Sequence, residues 1–427
     1  MPVEHAVQRP TLLKPGGHIR VVSPSYPSMS YVPPRAKRAE AALRALGFRV
    51  SYGEHAWELT DDGRSAGSPE QRADDFMAAV TDPDVDAIFS AGGGGTSWEI
   101  LPLLDGMTIS KNAKPFIGEC ENVWLHQYLL HEVNLASYYG AGFMTDFGEA
   151  GGIFPETAKF FIKALCEPGE LSCEPVPDRT NLSYNWMDPT IEATPRARLV
   201  GGGWQWINEG RGEGQFVGGE AAYLARCIDR FAPDLDGSVL FWHVMPNNGA
   251  PPVDLLRDLA ERTDLSALAG MIVGTDVRHD PPKWAAIVAA ALADVVGSVD
   301  YPVMVNADLG HTGPGWVLPY GLDAVLDSSL GLRFPASPMS PSTWDETAVR
   351  ALVEQQFAEL LPGTRLAGTD NFFSRGGDSF GMLRMISALQ SNGLPLTARD
   401  FVARPTPDGV VASVMARLPE RADVRER

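Results

Sequence analysis

The sequence has few cationic residues and no apolar run long enough to span a membrane. Its 35 lysines and arginines are outnumbered by 54 aspartates and glutamates, so the net charge is −19. This balance argues against nucleic acid and anionic membranes as partners. The segment from Met1 to Pro15 has neither the apolar stretch of a signal peptide nor a lipidation motif. We therefore expect a cytoplasmic protein.

Cysteine is also scarce, with four residues in a chain of 427. Cys120, Cys166, Cys173 and Cys227 are scattered without the pairing that metal ligands show. We therefore expect no metal site, and reduced thiols in or near the core. The alternative is a disulfide between Cys166 and Cys173.

A chain of this length is too long for one ordinary core and predicts about three domains. Strands and helices alternate, beginning with a strand at 17–25, a helix at 35–46 and a strand at 47–51. This alternation predicts an α/β fold with a mostly parallel sheet, whose ligand sites lie beyond the carboxyl ends of its strands. Further strands are expected at 238–244, 271–274 and 302–306, and further helices at 254–262 and 283–296.

The chain is organised around a glycine-rich turn. Ala87–Ala91 reads as a buried strand, four glycines (92–95) follow, and Ser97 opens a helix that carries Ile100, Leu101 and Leu104. Such a turn lifts a serine into the open beside backbone N–H groups that hold an oxyanion, here those of Gly94 and Trp98. The alternatives are a phosphate-binding loop or a plain turn, although no Gly-Lys-Ser/Thr follows as a Walker loop requires.

The residues around this turn identify a family resemblance. The segments Ser68-Pro-Glu-Gln-Arg-Ala-Asp-Asp75, Asp82-Pro-Asp-Val-Asp-Ala-Ile88 and Gly94–Asp105 resemble the LD-carboxypeptidase family, which includes the microcin-immunity serine peptidases. The resemblance runs from about Gly17 to Phe334. It implies a two-domain α/β serine-hydrolase-like region with a Ser-Glu-His triad, in which Ser97 is the nucleophile.

The resemblance also places residues around a substrate cleft. Cys120-Glu121 stand where the family usually has Ser-Asp, and Gly218-Gly219-Glu220 stand where it usually has Gly-Gly-Asn. Glu119, Glu121 and Asp146 would make the cleft acidic. The alternative is that each of them is a solvated loop carboxylate.

Two histidines occupy the remaining triad positions. Gly310-His311, with Leu318-Pro-x-Gly321 behind it, is similar to the family's Gly-His segment, which implies that His311 is the general base. The family's acid follows a strand that here reads Val239-Leu-Phe-Trp-His243, so His243 replaces the glutamate.

This replacement predicts a change in chemistry. In a serine protease, converting the triad carboxylate to an amide costs about 10⁴-fold in rate. A neutral His243 would accept a hydrogen bond from His311 without supplying negative charge, so amide hydrolysis should be weak, whereas a more activated thioester could still acylate Ser97. The alternative is that Glu220 or Asp308 supplies a displaced carboxylate.

The segment Leu332–Ser342 has three spaced prolines and no periodicity, which predicts an extended linker. The sequence pattern after this segment differs from that before it. Thr343-Trp-Asp-Glu346 is a capping box. It precedes one helical apolar stripe formed by Val349, Leu352, Val353, Phe357, Leu360 and Leu361.

The segments Asp370-Asn-Phe-Phe-Ser-Arg-Gly-Gly-Asp-Ser379 and Leu396–Asp408 closely resemble a peptidyl carrier protein, a small all-α four-helix domain. The resemblance implies 4′-phosphopantetheine on Ser379, attached by a phosphopantetheinyl transferase and loaded by an adenylation enzyme. The alternative is that Ser379 is a helix N-cap, a role that Asp378 and Ser379 could both serve.

The predicted organisation is an N-terminal α/β domain (1–170), a crossing (171–196), a second α/β domain (197–334), a linker (335–342) and a carrier domain (343–420). Three functions fit it. The first is serine-dependent acyl transfer in nonribosomal peptide biosynthesis, from the carrier to a small-molecule acceptor. The others are a peptidase that hydrolyses a peptide or aminoacyl-nucleotide, and an inactive scaffold for the carrier. The resemblance also suggests a homodimer.

Overall fold

The computed structural model describes residues 7–14, 16–180, 185–200, 203–245, 250–276, 278–335, 346–361, 367–391 and 394–417. These residues form two compact units. The first contains the described residues up to Glu167 and those of Leu171–Pro335, and the second contains Pro168–Glu170 and the described residues that follow Ala336. The predicted capping box at Thr343 and most of the predicted linker lie outside the described residues.

Most of the strands are short, and all but two of the described strands fall in two large sheets. In chain order they are β1 (His18–Val22), β2 (Arg49–Tyr52), β3 (Ala87–Ser90), β4 (Phe116–Gly118), β5 (Ser137–Tyr139), β6 (Leu171–Ser172), β7 (Asp178–Arg179), β8 (Leu199–Val200), β9 (Gln205–Asn208), β10 (Arg211–Glu220), β11 (Val239–His243), β12 (Gly270–Gly274), β13 (Val303–Ala307), β14 (Leu318–Tyr320), β15 (Asp323–Asp327) and β16 (Gly331–Phe334).

The helices of the first unit surround these sheets. They are α1 (Ser28–Tyr31), α2 (Pro33–Ala45), α3 (Pro69–Thr81), α4 (Gly106–Lys111), α5 (Val123–His131), α6 (Pro155–Cys166), α7 (Pro189–Glu192), α8 (Ala221–Phe231), α9 (Pro252–Ala260) and α10 (Pro281–Val295). Short 3₁₀ turns occur at Ser97–Leu103, Cys120–Asn122 and Leu265–Ala267, and a π-helical turn at Phe143–Phe147.

The first sheet has the order β14-β5-β4-β3-β1-β2, and its pairs are parallel except for β14 with β5. The second has the order β6-β16-β15-β10-β11-β12-β13-β9, with a parallel centre from β10 to β13 and antiparallel strands on both sides. The α/β fold is confirmed, but only the first sheet is mostly parallel. Strands β7 and β8 form a separate antiparallel pair.

The chain crosses from one sheet to the other between β13 and β14. Strand β13 belongs to the second sheet, whereas β14 is the edge strand of the first. His311 lies in this connection, so the loop that carries it joins both sheets. One continuous apolar core underlies the whole unit, with Trp242, Trp284 and Trp316 among its fully buried side chains.

Helix α3 shows how the sequence sets a boundary near the site. Ser68 and Gln71 form a reciprocal capping box, and Pro69 occupies the first turn, where its missing N–H costs nothing. The predicted linker is wrong at its start, because Leu332 and Phe334 are buried in strand β16, which pairs with β15 and β6. The four cysteines are free thiols, which confirms that prediction and excludes the Cys166–Cys173 bridge.

The second unit is helical in its described part, with α11 (Glu346–Leu360), α12 (Ser379–Ser391), α13 (Ala398–Ala403) and α14 (Pro407–Met415). It has its own core, in which the rings of Phe357, Phe372 and Phe401 pack together. The predicted stripe of α11 faces this core. Within the described ranges, no helix is both long and apolar enough to cross a membrane.

Candidate active site

Ser97 lies directly after the glycine-rich turn that follows β3, at the carboxyl edge of the first sheet. It begins a 3₁₀ turn, not the predicted α-helix, and Pro102 inside the segment removes a backbone donor that an α-helix would use. The prediction that the turn lifts this serine into the open is wrong, because Ser97 is 0% exposed.

Glu121 contacts Ser97 from the turn that follows the neighbouring strand, β4. The Ser97 backbone N–H donates to Oε1 of Glu121 at 2.7 Å, and its hydroxyl lies 3.4 Å from the Glu121 carbonyl oxygen. Glu121 sits in the turn that follows β4, and Asn122 of the same turn donates to the Gly92 carbonyl at 3.1 Å. Because β3 and β4 are parallel neighbours, their carboxyl ends bring these two turns together.

The glycine-rich turn folds over Ser25. The Ser25 hydroxyl accepts hydrogen bonds from the N–H groups of Gly95 and Thr96, each at 3.0 Å. At Gly94 the backbone φ is +155°, and a Cβ there would lie 2.2 Å from Ser25 Oγ and 2.7 Å from the Tyr26 nitrogen. Only glycine fits at position 94, whereas a Cβ at Gly95 would meet nothing within 4 Å.

Arg72 stabilises the glycine-rich turn by hydrogen bonds and an ion pair. Its buried guanidinium donates to the carbonyls of Pro24 at 2.6 Å and Thr96 at 2.9 Å, and it pairs with Glu99. Trp98, the second residue predicted to supply an oxyanion N–H, has a half-exposed side chain whose Nε1–H donates to the Gly95 carbonyl. Gly94 and Trp98 therefore flank Ser97 as expected, while their role remains a prediction.

The two histidines lie against each other. His243 ends β11, and its ring centroid is 5.2 Å from that of His311, at an interplanar angle of 65°. Nε2 of His243 lies 2.7 Å from the Tyr139 hydroxyl, which also accepts a hydrogen bond from the Cys120 N–H at 3.0 Å. If Tyr139 donates its proton to Nε2, both of its hydrogen-bonding roles are satisfied, so we assign the proton of His243 to Nδ1.

Both rings are uncharged at neutral pH. Burial lowers the pKa of His311 to about 4, although a hydrogen bond with the Val244 backbone opposes this shift. Burial and the neighbouring His311 hold the pKa of His243 well below its usual range. Among the described residues, neither ring has a hydrogen bond to a carboxylate, and Nδ1 of each lacks a hydrogen-bond partner.

Glu220 and Asp308, the two alternatives for a displaced acid, are engaged elsewhere. Glu220 caps α8 by accepting the N–H groups of Ala222 at 3.0 Å and Tyr223 at 3.2 Å. Asp308 accepts hydrogen bonds from the Val176 N–H and from Nε1 of Trp204, both at 3.1 Å, while burial raises its pKa to about 7. Their contacts indicate structural roles.

Glu119 and Asp146 form a buried pair of carboxyl groups, and the Thr145 hydroxyl lies within hydrogen-bond distance of both. Burial and the charge of Asp146 raise the pKa of Glu119 to about 8, and burial raises that of Asp146 to about 6. The alternative that Glu119, Glu121 and Asp146 are solvated loop carboxylates is wrong, because all three are buried.

Ser379 lies at the first position of α12, two residues after Gly377, and is exposed. The cap is Asp378, whose Oδ1 accepts the Gly381 N–H at 2.7 Å. Phe380 and Leu383 beside it are 70% and 56% exposed. An accessible serine that is not used as the cap fits the attachment of phosphopantetheine.

Comparison with known families decides the assignment. The models of the LD-carboxypeptidase N-terminal and C-terminal domains match residues 19–140 and 213–326, and the model of the phosphopantetheine attachment site matches residues 348–414. The chain belongs to the LD-carboxypeptidase family. Unlike a bare LD-carboxypeptidase domain pair, it carries an added attachment domain, which implies covalent 4′-phosphopantetheine on a serine and a phosphopantetheinyl transferase as partner.

Relatives of this LD-carboxypeptidase family member include the microcin C7 self-immunity protein MccF of Escherichia coli. It is 27% identical over 316 residues, which cover 73% of this chain and 91% of MccF. The solved structure of an MccF-like protein from Bacillus anthracis is 26% identical, has a TM-score of 0.70 and is matched over its full length by 77% of this chain. A structure of MccF with adenosine monophosphate, at 24% identity and a TM-score of 0.69, shows the same fold.

Sequence reasoning missed several residues that shape this LD-carboxypeptidase-like site. Arg72 lies inside the Ser68–Asp75 segment, and Ser25 ends the first predicted strand. Nothing in the sequence around either residue indicates that it contacts the glycine-rich turn. Tyr139 and Tyr223 are ordinary core aromatics by sequence. The Tyr223 hydroxyl donates to the Gly94 carbonyl, a contact between residues 129 positions apart.

Proposed function

We propose that this protein transfers an acyl group from its carrier domain to a small-molecule acceptor through Ser97, in a biosynthesis of the nonribosomal peptide type. The supporting observation is that one chain holds an LD-carboxypeptidase fold and an exposed attachment serine, Ser379, in a matched carrier domain. Attached phosphopantetheine would supply a thiol that holds the acyl group as a thioester. The linker raises the effective concentration of that thioester near Ser97 if it spans the gap.

The proposed reaction has two halves, and each needs a base. In the first, Ser97 Oγ loses its proton and bonds to the acyl carbonyl, the carbon–sulfur bond breaks, and the thiol leaves with a proton. In the second, an amine or hydroxyl acceptor loses its proton and displaces Ser97 Oγ, which regains one. The N–H groups of Trp98 and Gly94 would hold the oxyanion in both halves. The family resemblance assigns the base to His311.

The histidine pair favours transfer over peptide hydrolysis. A triad carboxylate stabilises the imidazolium that forms when histidine takes a proton, and His243 is neutral at this position. His311, with a pKa lowered to about 4, is consequently a weak base. A weak base is sufficient for an activated thioester and for a nucleophilic amine, but it disfavours cleavage of an unactivated amide.

The test compares the wild-type chain with Ser97→Ala. Both are given phosphopantetheine, loaded by an adenylation enzyme with a panel of amino acids, and offered amine acceptors. We expect product from the wild type and from Ser329→Ala, which changes an exposed serine outside the site, but at most trace product from Ser97→Ala. Equal product from Ser97→Ala would reject the proposal.

Two observations favour other functions. The likeness to relatives described as putative carboxypeptidases supports a hydrolase, and turnover of a peptide or an aminoacyl-nucleotide by the chain without phosphopantetheine would indicate it. The burial of Ser97 supports a scaffold. Normal loading of Ser379 with Ser97 inert to fluorophosphonates would indicate that role.

A further inference from the structure

Glu121 is the ionisable side chain in direct contact with Ser97. Its Oε1 accepts the Ser97 N–H at 2.7 Å, and its backbone carbonyl lies 3.4 Å from the Ser97 hydroxyl. The residue is 0% exposed. Glu121 is therefore in direct contact with Ser97, the proposed nucleophile. The described contacts of His311 are instead with His243 and the Val244 backbone.

The second oxygen of this carboxylate lacks a partner. Oε2 of Glu121 is buried and, among the described residues, receives no hydrogen bond. A buried acceptor left unsatisfied costs on the order of 1–3 kcal/mol, and more when it is charged, so such an atom needs a functional or structural reason. The Ser97 N–H holds this carboxylate beside the serine, whose hydroxyl contacts the backbone carbonyl of the same residue. A carboxylate in that position can take the serine's proton.

We propose that Glu121 is the base that takes the proton of Ser97 in the first half of the transfer. The inference rests on the proposed function and deepens it. The proton moves from Ser97 Oγ to the Glu121 carboxylate as Oγ bonds to the acyl carbon. When the carbon–sulfur bond breaks, Glu121 returns the proton to the departing thiolate, so the carboxylate is regenerated.

The surroundings of Glu121 suit this role. Burial raises the pKa of its carboxyl group, while the neighbouring Ser25 and Ser97 and the charge of Arg72 oppose the shift. A raised pKa makes this carboxylate a stronger base than that of an exposed glutamate. His311 is then left to take the proton of the acceptor in the second half of the reaction.

The experiment follows the acyl group on Ser97 by intact mass during a single turnover of the loaded full-length chain. Glu121→Gln keeps the size and an oxygen acceptor for the Ser97 N–H, and we expect it to slow acylation of Ser97 by about 10²–10⁴-fold, the usual contribution of a general base. Glu132→Gln, which changes an exposed glutamate at the end of α5, should acylate at the wild-type rate.

The variant His311→Gln provides a second test of the assignment. Its result can be interpreted even if the Glu121→Gln variant does not fold. If Glu121 serves the first half, His311→Gln should still form acyl-Ser97 and should accumulate it, because release to the acceptor is slowed. Loss of acylation in His311→Gln, or wild-type acylation in Glu121→Gln, overturns the assignment. These results differ from failure of the proposed function, in which the wild type itself forms no acyl-Ser97.

Discussion

The hydroxyl of Tyr139 lies 2.7 Å from Nε2 of His243, the residue predicted to stand in place of the family's glutamate. The same hydroxyl accepts the Cys120 N–H, one residue before the Glu121 that contacts Ser97. A single tyrosine therefore connects the histidine pair with the turn that covers the nucleophile. Its hydroxyl donates to Nε2 of the neutral histidine and accepts from the backbone of that turn.

Returning the carboxylate should shift the protein toward hydrolysis. In His243→Glu, a negative charge beside His311 raises the pKa of His311 and stabilises its protonated form. We expect the ratio of hydrolysis to transfer to rise by at least about tenfold, toward the roughly 10⁴-fold that the carboxylate contributes in a serine protease. Product ratios by mass spectrometry measure this. His243→Gln is the neutral control, and an equal ratio in both variants would contradict the account.

The turn at Ser97 should tolerate a side chain at one glycine and not at its neighbour. Gly94→Ala places a Cβ 2.7 Å from the Tyr26 nitrogen, and a backbone atom cannot move aside cheaply. We expect a loss of about 1–3 kcal/mol in the free energy of unfolding, as for other overpacked sites, together with loss of transfer. Gly95→Ala meets nothing within 4 Å and should keep both. Urea unfolding compares the two, and equal stability would refute the proposed packing.

Stability should fall as pH rises because Glu119 is buried and neutral. Its pKa is about 8 in the folded state and 4.5 ordinarily, so between these values the folded state holds a proton that the unfolded state has lost. The protonated carboxyl group contributes its full stabilisation below pH 4.5, and this contribution is lost as the pH rises toward about 8. The free energy of unfolding falls by at most about 1.4 kcal/mol per pH unit in this range. Glu119→Gln should lessen this fall, and the exposed Glu209→Gln should not. Urea unfolding at about pH 5 and pH 8 tests it, and identical slopes in all three proteins would exclude the shift.

Attachment of phosphopantetheine should require Ser379. Ser379→Ala should gain no mass when incubated with a phosphopantetheinyl transferase and coenzyme A, since no other serine follows the Gly-Gly-Asp turn. Ser374→Ala removes an exposed serine on the same loop and should gain the mass of one group. Intact mass measures both, and modification of Ser379→Ala would place the attachment elsewhere.

The sequence predicted the elements that local pattern controls. The strand expected at 238–244 is found at Val239–His243, where a short continuous apolar run marks it. The helix expected at 283–296 is found at Pro281–Val295, where prolines in the first turn mark its start. Family motifs also placed His243 and His311, which the structure brings together.

The contacts that define the site could not be predicted in the same way. Ser97 is buried by Glu121, which lies 24 residues further along and reaches it only because β3 and β4 are neighbours. Glutamate and aspartate are usually exposed, so composition gave no reason to bury Glu119 with Asp146. Pairing across the sheets decides these positions, and that information is not local.

The most direct test of acyl transfer is to locate the acyl group on the wild-type chain. The loaded protein is quenched within one turnover, digested, and analysed by peptide mass mapping. Transfer through Ser97 predicts an acyl adduct on the peptide that contains Ser97, in addition to the one on Ser379, and its decay when an amine acceptor is added. Formation of product while the adduct is found only on Ser379 would contradict it.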